Sequence, residues 1–263
     1  AEESWRRPRL VAGADEVAIL YKPPGWTATV AEAPGLELVP GEGRGRPLSR
    51  WLQGAFGAAH PIASDAAAQW GLVHRLDLET SGLLLWARSY RGHYAGQLSF
   101  LARRVLKEYV CLCCGHLAPS PALITAPLLT RRVDTGRGTG LETSASSSGR
   151  QACTELFATA HLSGPEGLPF SLVTLRLHTG RTHQIRAHLR HLGHPLAGDA
   201  VYGGATPAWC PRVFLHARRL CLALCGLGAP LGAVAPLPPD LQRAAEQLAL
   251  VAGSARPRVG EGY

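Results

Sequence analysis

Gly71-Leu-Val-His74-Arg75-Leu76-Asp77-Leu-Glu-Thr80-Ser81-Gly82-Leu-Leu-Leu85 is the stretch around which the chain is organised. It sets one carboxylate, Asp77, two positions after Arg75 and three after His74. Turn-forming Thr80-Ser81-Gly82 follows and opens into an apolar run, Leu83 to Trp86. That order reads as a strand, a tight loop and a second strand. An Asp held beside Arg and His at the edge of an apolar strand is a charged group kept for chemistry, because packing alone does not call for one.

The surrounding chain bounds the setting of that loop. Its 263 residues fit one large domain or a domain with flanking pieces. At 46% apolar it can fill a sizeable core. No apolar run reaches bilayer-spanning length, and no N-terminal stretch has the order of a signal peptide. The sequence contains no Met, so it is expected to be a processed form or a piece of something longer. A net charge of +8 points to a polyanionic partner. Lys22 and Lys107 are the two lysines; all other Lys/Arg positions are arginine, and Asn is absent, as in a GC-rich coding bias. A lysine that survives such a drift marks a position that needs it. The seven cysteines have no framework spacing, which reads as buried thiols in a reducing compartment.

Upstream of the Asp77 loop, residues 1–15 are polar and are expected to be a loose lead-in. Glu16 to Tyr21 reads as a strand stopped by Lys22-Pro-Pro-Gly25. Residues 30–47 are rich in Gly, Pro and Glu. Their Gly41-Glu-Gly-Arg-Gly45 has no leading strand and Pro47 follows, so it fails as a phosphate-binding fingerprint and reads as a surface loop. The spacing predicts a short helix over 48–56 with Trp51, Leu52 and Phe56 on one side.

Downstream, residues 90–104 show helical spacing at Tyr94, Leu98 and Leu101. A long strand over 105–114 ends at Gly115 and places Lys107 and Tyr109 on one face. That pairing reads as the edge of a cleft; the alternative for Tyr109 is a packed aromatic. Residues 131–150 are low in complexity and are expected to be a flexible insertion. Strands are predicted over 153–161 and 170–177, a loop over 198–203, strands within 213–225, a terminal helix over 240–251 and a loose tail over 253–263.

The second informative stretch is Thr179-Gly180-Arg181-Thr182-His183-Gln184-Ile185-Arg186-Ala-His188-Leu189. Thr182 suits a helix N-cap, Ile185, Leu189 and Leu192 make a buried stripe, and Gly193 with Pro195 ends the helix. Arg181 sits where the helix dipole disfavours a cation, so an anion is expected beside it, either a phosphate or Asp77. His183, His188, His191 and His194 raise a metal reading. It lacks an H-E-x-x-H arrangement and an acidic ligand, so polar-face and cap roles are expected instead.

Taken together, these stretches resemble the RluA-type RNA pseudouridine synthase family. The carrying motifs are His74-Arg-Leu-Asp77 with Thr80-Ser-Gly82, and Gly180-Arg-Thr-His-Gln-Ile-Arg186 with His188. Lys22-Pro-Pro-Gly25, Lys107-Glu-Tyr109, Ala152-Cys-Thr154, His194-Pro195, Gly198-Asp199, Tyr202-Gly203 and Leu215-His-Ala217 follow in the family's order. The resemblance implies an α+β fold, with a mixed, mainly antiparallel sheet, a central catalytic cleft and peripheral helices. It implies one catalytic domain over 16–252, without an S4-type domain. It also implies an isomerase that detaches uracil at N1 and reattaches it through C5, with no cofactor and no metal.

Under that resemblance Asp77 is the catalytic carboxylate, Tyr109 packs on the target base, and Arg181 pairs with the Asp. Arg75 fills the gap left by the extruded uridine, and His74, Lys107, Gln184 and Arg186 join it in binding substrate. The expected partner is rRNA or tRNA, bound by a monomer without a membrane, inside the cell in cytoplasm or an organelle. Two rivals remain at this point: an RNA-binding protein that has lost catalysis, and a metal-dependent hydrolase built on the 183–194 histidines.

Overall fold

A computed structural model describes residues 4–28, 45–118, 123–134, 139–224 and 230–251. The first half of the chain forms β1 (Arg9–Gly13), β2 (Val17–Lys22), β3 (Trp26–Thr27), β4 (Arg46–Pro47), α1 (Leu48–Phe56), β5 (Ser81–Ala87), α2 (Tyr90–Leu101) and β6 (Val105–Cys114). Next come β7 (Leu123–Ile124), β8 (Leu128–Asp134), β9 (Thr139–Ala145), β10 (Thr154–Ser163) and β11 (Pro169–Leu177). The remainder supplies α3 (Gln184–His191), β12 (Leu215–Leu222), β13 (Leu231–Val234), α4 (Pro239–Glu246) and β14 (Ala249–Leu250). The architecture is α+β and mainly antiparallel. The chain divides into two compact units and passes between them five times, among these inside β6, between Lys107 and Glu108, and inside β12, between His216 and Ala217.

The first unit is built on β2 and β5, paired antiparallel from Val17↔Ala87 to Lys22↔Gly82. Every residue of both strands is buried, which explains their continuous apolar runs in place of an alternating pattern. Leu85 faces Val73 and the Gly96 backbone of α2, while Trp86 on the other side meets Phe56 of α1 at 4.8 Å. Gly82 is required by close approach: a Cβ there would lie 2.2 Å from the Ala217 carbonyl oxygen, at φ +126°. β12 continues antiparallel to β13, and Leu220 and Leu222 join the same core as Ile19, Tyr21 and Leu85.

The second unit pairs β6 with β11 and β11 with β10, all antiparallel, with Tyr109 opposite Leu175. β7 and β14 extend β10 at its two ends. Val110, Leu112, Phe170 and Phe214 form its core with Leu241 and Ala244 of α4. α3 buries Ile185 and Leu189 and closes with a Schellman motif. Its bonds are Gly193 N–H to Arg190 O at 2.9 Å and His194 N–H to Leu189 O at 2.8 Å, with Gly193 at φ +82°.

Several expectations need correction. The lead-in over 1–15 contains β1, which pairs antiparallel with β2 through a bulge near Val11. The segment over 131–150 holds the end of β8 and all of β9, which pair as a two-stranded sheet; residues 135–138 lie outside the described residues. The stretch before Asp77 is not a strand: Leu72 makes a single bridge to Trp86. α3 starts at Gln184, with His183 in the left-handed conformation at the N-cap, so Thr182 does not cap it, and Leu192 is exposed. The terminal helix stops at Glu246, and β14 follows. The glycine-rich loop, apart from its last residues, and the tail over 253–263 lie outside the described residues. Among the described residues no helix is long and apolar enough to cross a membrane.

Candidate active site

The Asp77 loop is fixed by backbone groups on both flanks. The chain enters it through three consecutive left-handed residues, Gln69, Trp70 and Gly71, at φ 55°, 54° and 79°. The Trp70 carbonyl accepts the Trp86 indole N–H at 2.9 Å, which anchors that sharp entry to β5. Val73 N–H then donates to Leu85 O at 3.3 Å, and Thr80 N–H closes the turn on the Asp77 carbonyl at 3.1 Å. Leu78 O accepts two bonds, from Gly25 N–H at 2.9 Å and from the Lys22 ammonium at 3.1 Å. Lys22 is fully buried and also donates to Pro23 O at 3.0 Å and Trp26 O at 2.8 Å. Three carbonyls match the three donors of an ammonium, so the charge is solvated by the loop it holds. Lys22 therefore ties the turn after β2 to the residue next to Asp77.

His74 belongs to this scaffold. Its Nε2 accepts the Leu85 N–H at 2.9 Å, and its ring packs on Phe100 with centroids 4.7 Å apart. Removal from water, with the Lys107 ammonium as a second cause, lowers its pKa to about 3, so the ring is neutral with its proton on Nδ1. Lys107 is buried, with its Nζ 5.4 Å over the Phe100 ring. Arg75 is half-buried, and its Nε is buried with no hydrogen-bond partner among the described residues. Asp77 itself is half-buried on the loop. His74, Arg75, Asp77 and Lys107 thus gather in the first unit.

In the second unit, the turn before α3 is held by Gln184. Its Oε1 accepts the Arg181 N–H at 2.9 Å and the Thr179 hydroxyl at 2.7 Å. Its Nε2 donates to Cys153 O and Thr154 Oγ1, both at 3.0 Å. The Arg181 guanidinium donates through Nε to Gln151 O at 3.0 Å. Arg186 points inward: Nε and Nη2 form a bidentate pair with Asp199 at 2.7 and 2.9 Å, and the guanidinium lies 4.7 Å over the Tyr202 ring. The Tyr202 hydroxyl accepts the Thr143 N–H at 2.9 Å and is 3.0 Å from His183 Nδ1. That bond links β9 to the start of α3.

Tyr109 is buried on β6, on the strand face that also buries Val105 and Lys107, as strand alternation predicts. The 183–194 histidines are spread over separate tasks. His188 bonds Thr154 Oγ1 at 2.8 Å and Ala126 O at 2.9 Å, and burial lowers its pKa. His194 bonds Cys114 O at 2.9 Å, and His191 is exposed. Among the described residues no three His, Cys, Asp or Glu side chains come together as metal ligands.

Gln184 and Arg186, read from sequence as substrate contacts, bond the protein itself, Gln184 through Oε1 and Nε2 and Arg186 through Nε and Nη2, and His74 commits Nε2 to β5. Three residues left out of the expected site carry more of the scaffold than the sequence reading gave them. Lys22, Asp199 and Tyr202 each stand in a short signature, and the survival of Lys22 in an arginine-dominated sequence was the available signal.

This framework has a solved counterpart. The human RNA pseudouridylate synthase domain containing 1 superposes with TM-score 0.65 at 25% identity, covering 94% of this chain and 90% of that one. The profile of the RNA pseudouridylate synthase family matches residues 16–191, and the chain belongs to that family. An uncharacterised RNA pseudouridine synthase of Mycobacterium bovis is 38% identical over 204 residues, covering 73% of this chain and 61% of its own length. The ribosomal large subunit pseudouridine synthase D of Xanthomonas campestris is 32% identical over 191 residues, covering 68% of this chain and 54% of its own. The chain therefore spans about three-fifths or less of the length of these two curated relatives.

Proposed function

We propose that the protein is an RNA pseudouridine synthase that isomerises uridines in rRNA or tRNA, with Asp77 as the catalytic carboxylate. The observation that carries this reading is the family match over residues 16–191, which contains both long motifs, His74 to Gly82 and Gly180 to Arg186. In the reaction the N1–C1′ bond breaks, uracil turns, and a C5–C1′ bond forms; the C5 proton leaves and N1 gains one, so atoms balance. Following the resemblance, Tyr109 packs on the target base, Arg181 is the cation partner of the carboxylate, and Arg75 and Lys107 engage the RNA. Gln184, Arg186 and His74 take supporting roles in this reading, holding the turn before α3, the interior of α3 and the Asp77 loop. A uridine in folded RNA must leave its stack to be worked on. The partner is RNA, met by a monomer where rRNA or tRNA is matured, in cytoplasm or an organelle.

The test offers purified protein a panel of rRNA and tRNA transcripts and scores pseudouridine at single-nucleotide resolution. Wild type is expected to convert at least one uridine. Asp77→Asn is expected to lose activity by a factor of about 10³ or more while keeping RNA affinity. Wild-type turnover in Asp77→Ala would remove Asp77 from the chemistry.

A further inference from the structure

We propose that the outward face of α2 docks RNA: nucleotides flanking the target uridine stack on Tyr94 and place phosphates on Arg103 and Arg104. This rests on the RNA-modifying reading above and adds a surface to it.

α2 packs with its small side inward. A Cβ on Gly92 would lie 2.1 Å from Glu16 O, and one on Gly96 would meet Val73 and Leu85 at 3.1–3.2 Å. Backbone therefore lies against the sheet, and the large apolar residues point away. Tyr90, Tyr94, Leu98 and Leu101 are 45%, 66%, 56% and 82% exposed. At i, i+4, i+8 and i+11 they form one stripe, which an amphipathic helix ordinarily buries. An exposed apolar stripe of this kind marks a binding face.

The charge around it is one-sided. The sequence has no Asp or Glu between Glu79 and Glu108, a span that holds Arg88, Arg91, Arg103 and Arg104. Carboxylates from elsewhere reach the first turn: Asp65 accepts the Tyr90 hydroxyl at 2.9 Å, and Glu16 accepts from Ser89 and lies 3.9 Å from Arg91. At the other end Arg103 and Arg104 are exposed beside Leu101.

The backbone gives an independent sign. α2 closes with the same Schellman motif as α3: Arg103 N–H bonds Phe100 O at 3.1 Å, and Arg104 N–H bonds Ser99 O at 2.9 Å. Arg103 thus occupies at φ 57° the position that Gly193 fills in α3. A left-handed C′ residue is ordinarily Gly, since a Cβ is strained there. An arginine is held at this place against its backbone preference.

The location fits a polyanion on its way to Asp77. Phe100, in the last turn of α2, packs on His74 and lies under Lys107, so the arginine end of the helix abuts the Asp77 loop. A second copy of the chain fits less well. One helix of about 18 Å supplies far less than the roughly 800 Å² per partner of a stable interface. An exposed tyrosine on a helix that ends in arginines is instead the makeup of a single-strand stacking platform.

The test measures fluorescence anisotropy of dye-labelled dodecauridylate across a salt series, with KM and kcat on a responsive transcript. Tyr94→Ala is expected to weaken RNA binding about tenfold. Arg103→Gly with Arg104→Gln is expected to do the same and to flatten the log–log salt slope by about 1.4. In all of these KM rises and kcat holds, and melting curves recorded beside them separate lost binding from lost fold. Unchanged affinity and salt slope in every variant would overturn the proposal while leaving the isomerase reading intact. So would sedimentation showing a dimer that Leu98→Ser with Leu101→Ser splits without loss of RNA binding. A wild type that binds oligouridylate through these residues but converts no uridine would sustain the docking face and remove the isomerase reading.

Discussion

Helices α2 and α3 end in the same hydrogen-bonded motif but send their large side chains to different places. α3 takes Gln184, Arg186 and His188 inside, each with polar partners waiting, and leaves Arg190 and His191 outside. α2 takes Gly92, His93, Gly96 and Ser99 inside and leaves two tyrosines and two leucines in water. The difference lies in what each helix meets. α2 lies so close to the chain just before β2 that a side chain larger than hydrogen at Gly92 would collide with the Glu16 carbonyl. α3 meets Asp199, Thr154 and backbone carbonyls, which make buried polar groups tolerable. Helical spacing of apolar residues locates a helix, but the partner surface decides which side is inside.

Four measurements press on this contrast. Asp199→Ala strands the Arg186 guanidinium in the interior, and urea unfolding should show a loss of about 3–5 kcal/mol. Adding Arg186→Met should recover most of it; a loss below 1 kcal/mol in the single variant would mean that α3 does not depend on the pair. Acid should act through the neutral histidine that Phe100 covers. His74 falls from its ordinary 6.5 to about 3 in the folded protein, so the unfolded chain binds the extra proton. Its stabilisation is present above pH 6.5 and is lost as pH falls toward 3. Between pH 7.5 and pH 5 wild type should lose about 2 kcal/mol more than His74→Gln. Equal losses in both proteins would show that His74 is not the group responsible.

The two C′ positions give a smaller and oppositely signed pair. Gly193→Ala should cost about 1 kcal/mol, since the site is open but left-handed, whereas Arg103→Gly should stabilise by up to about 1 kcal/mol. Like signs would mean that the two closures are not equivalent. Smallest of all, Leu98→Ser should change stability by no more than about 0.5 kcal/mol, as befits a surface position. A loss of several kcal/mol there would place that side chain in a core.

Legibility followed the range of the interactions. β2 with its Lys-Pro-Pro-Gly stop, β5, and β6 ending at Gly115 were read within a residue or two, because run length and turn residues are local. The Schellman end of α3 at Gly193 was equally plain. β1 was missed because its residues are largely exposed and its pairing with β2 supplies the order. β8 and β9 were missed because Thr, Ser, Arg and Gly give no apolar alternation, and each strand is the other's partner. Lys107 and Tyr109 share a strand face as predicted, yet both are buried. Gln184 and Arg186 carry groups suited to RNA; only the fold shows them turned toward Cys153, Thr154 and Asp199.

The Asp77 stretch shows where the division falls. Composition and spacing alone determined that a carboxylate sits in a tight turn between His-Arg and an apolar strand, and motif order placed the chain in its family. These are properties of covalent sequence and of short-range backbone preference. Tertiary structure decided what holds that turn: a buried Lys22 reaching three carbonyls, and a histidine held neutral against Phe100. It also decided that α2 faces outward and α3 inward. Each of those outcomes depends on groups far apart in the chain, whose desolvation costs are offset only when folding brings their partners within reach.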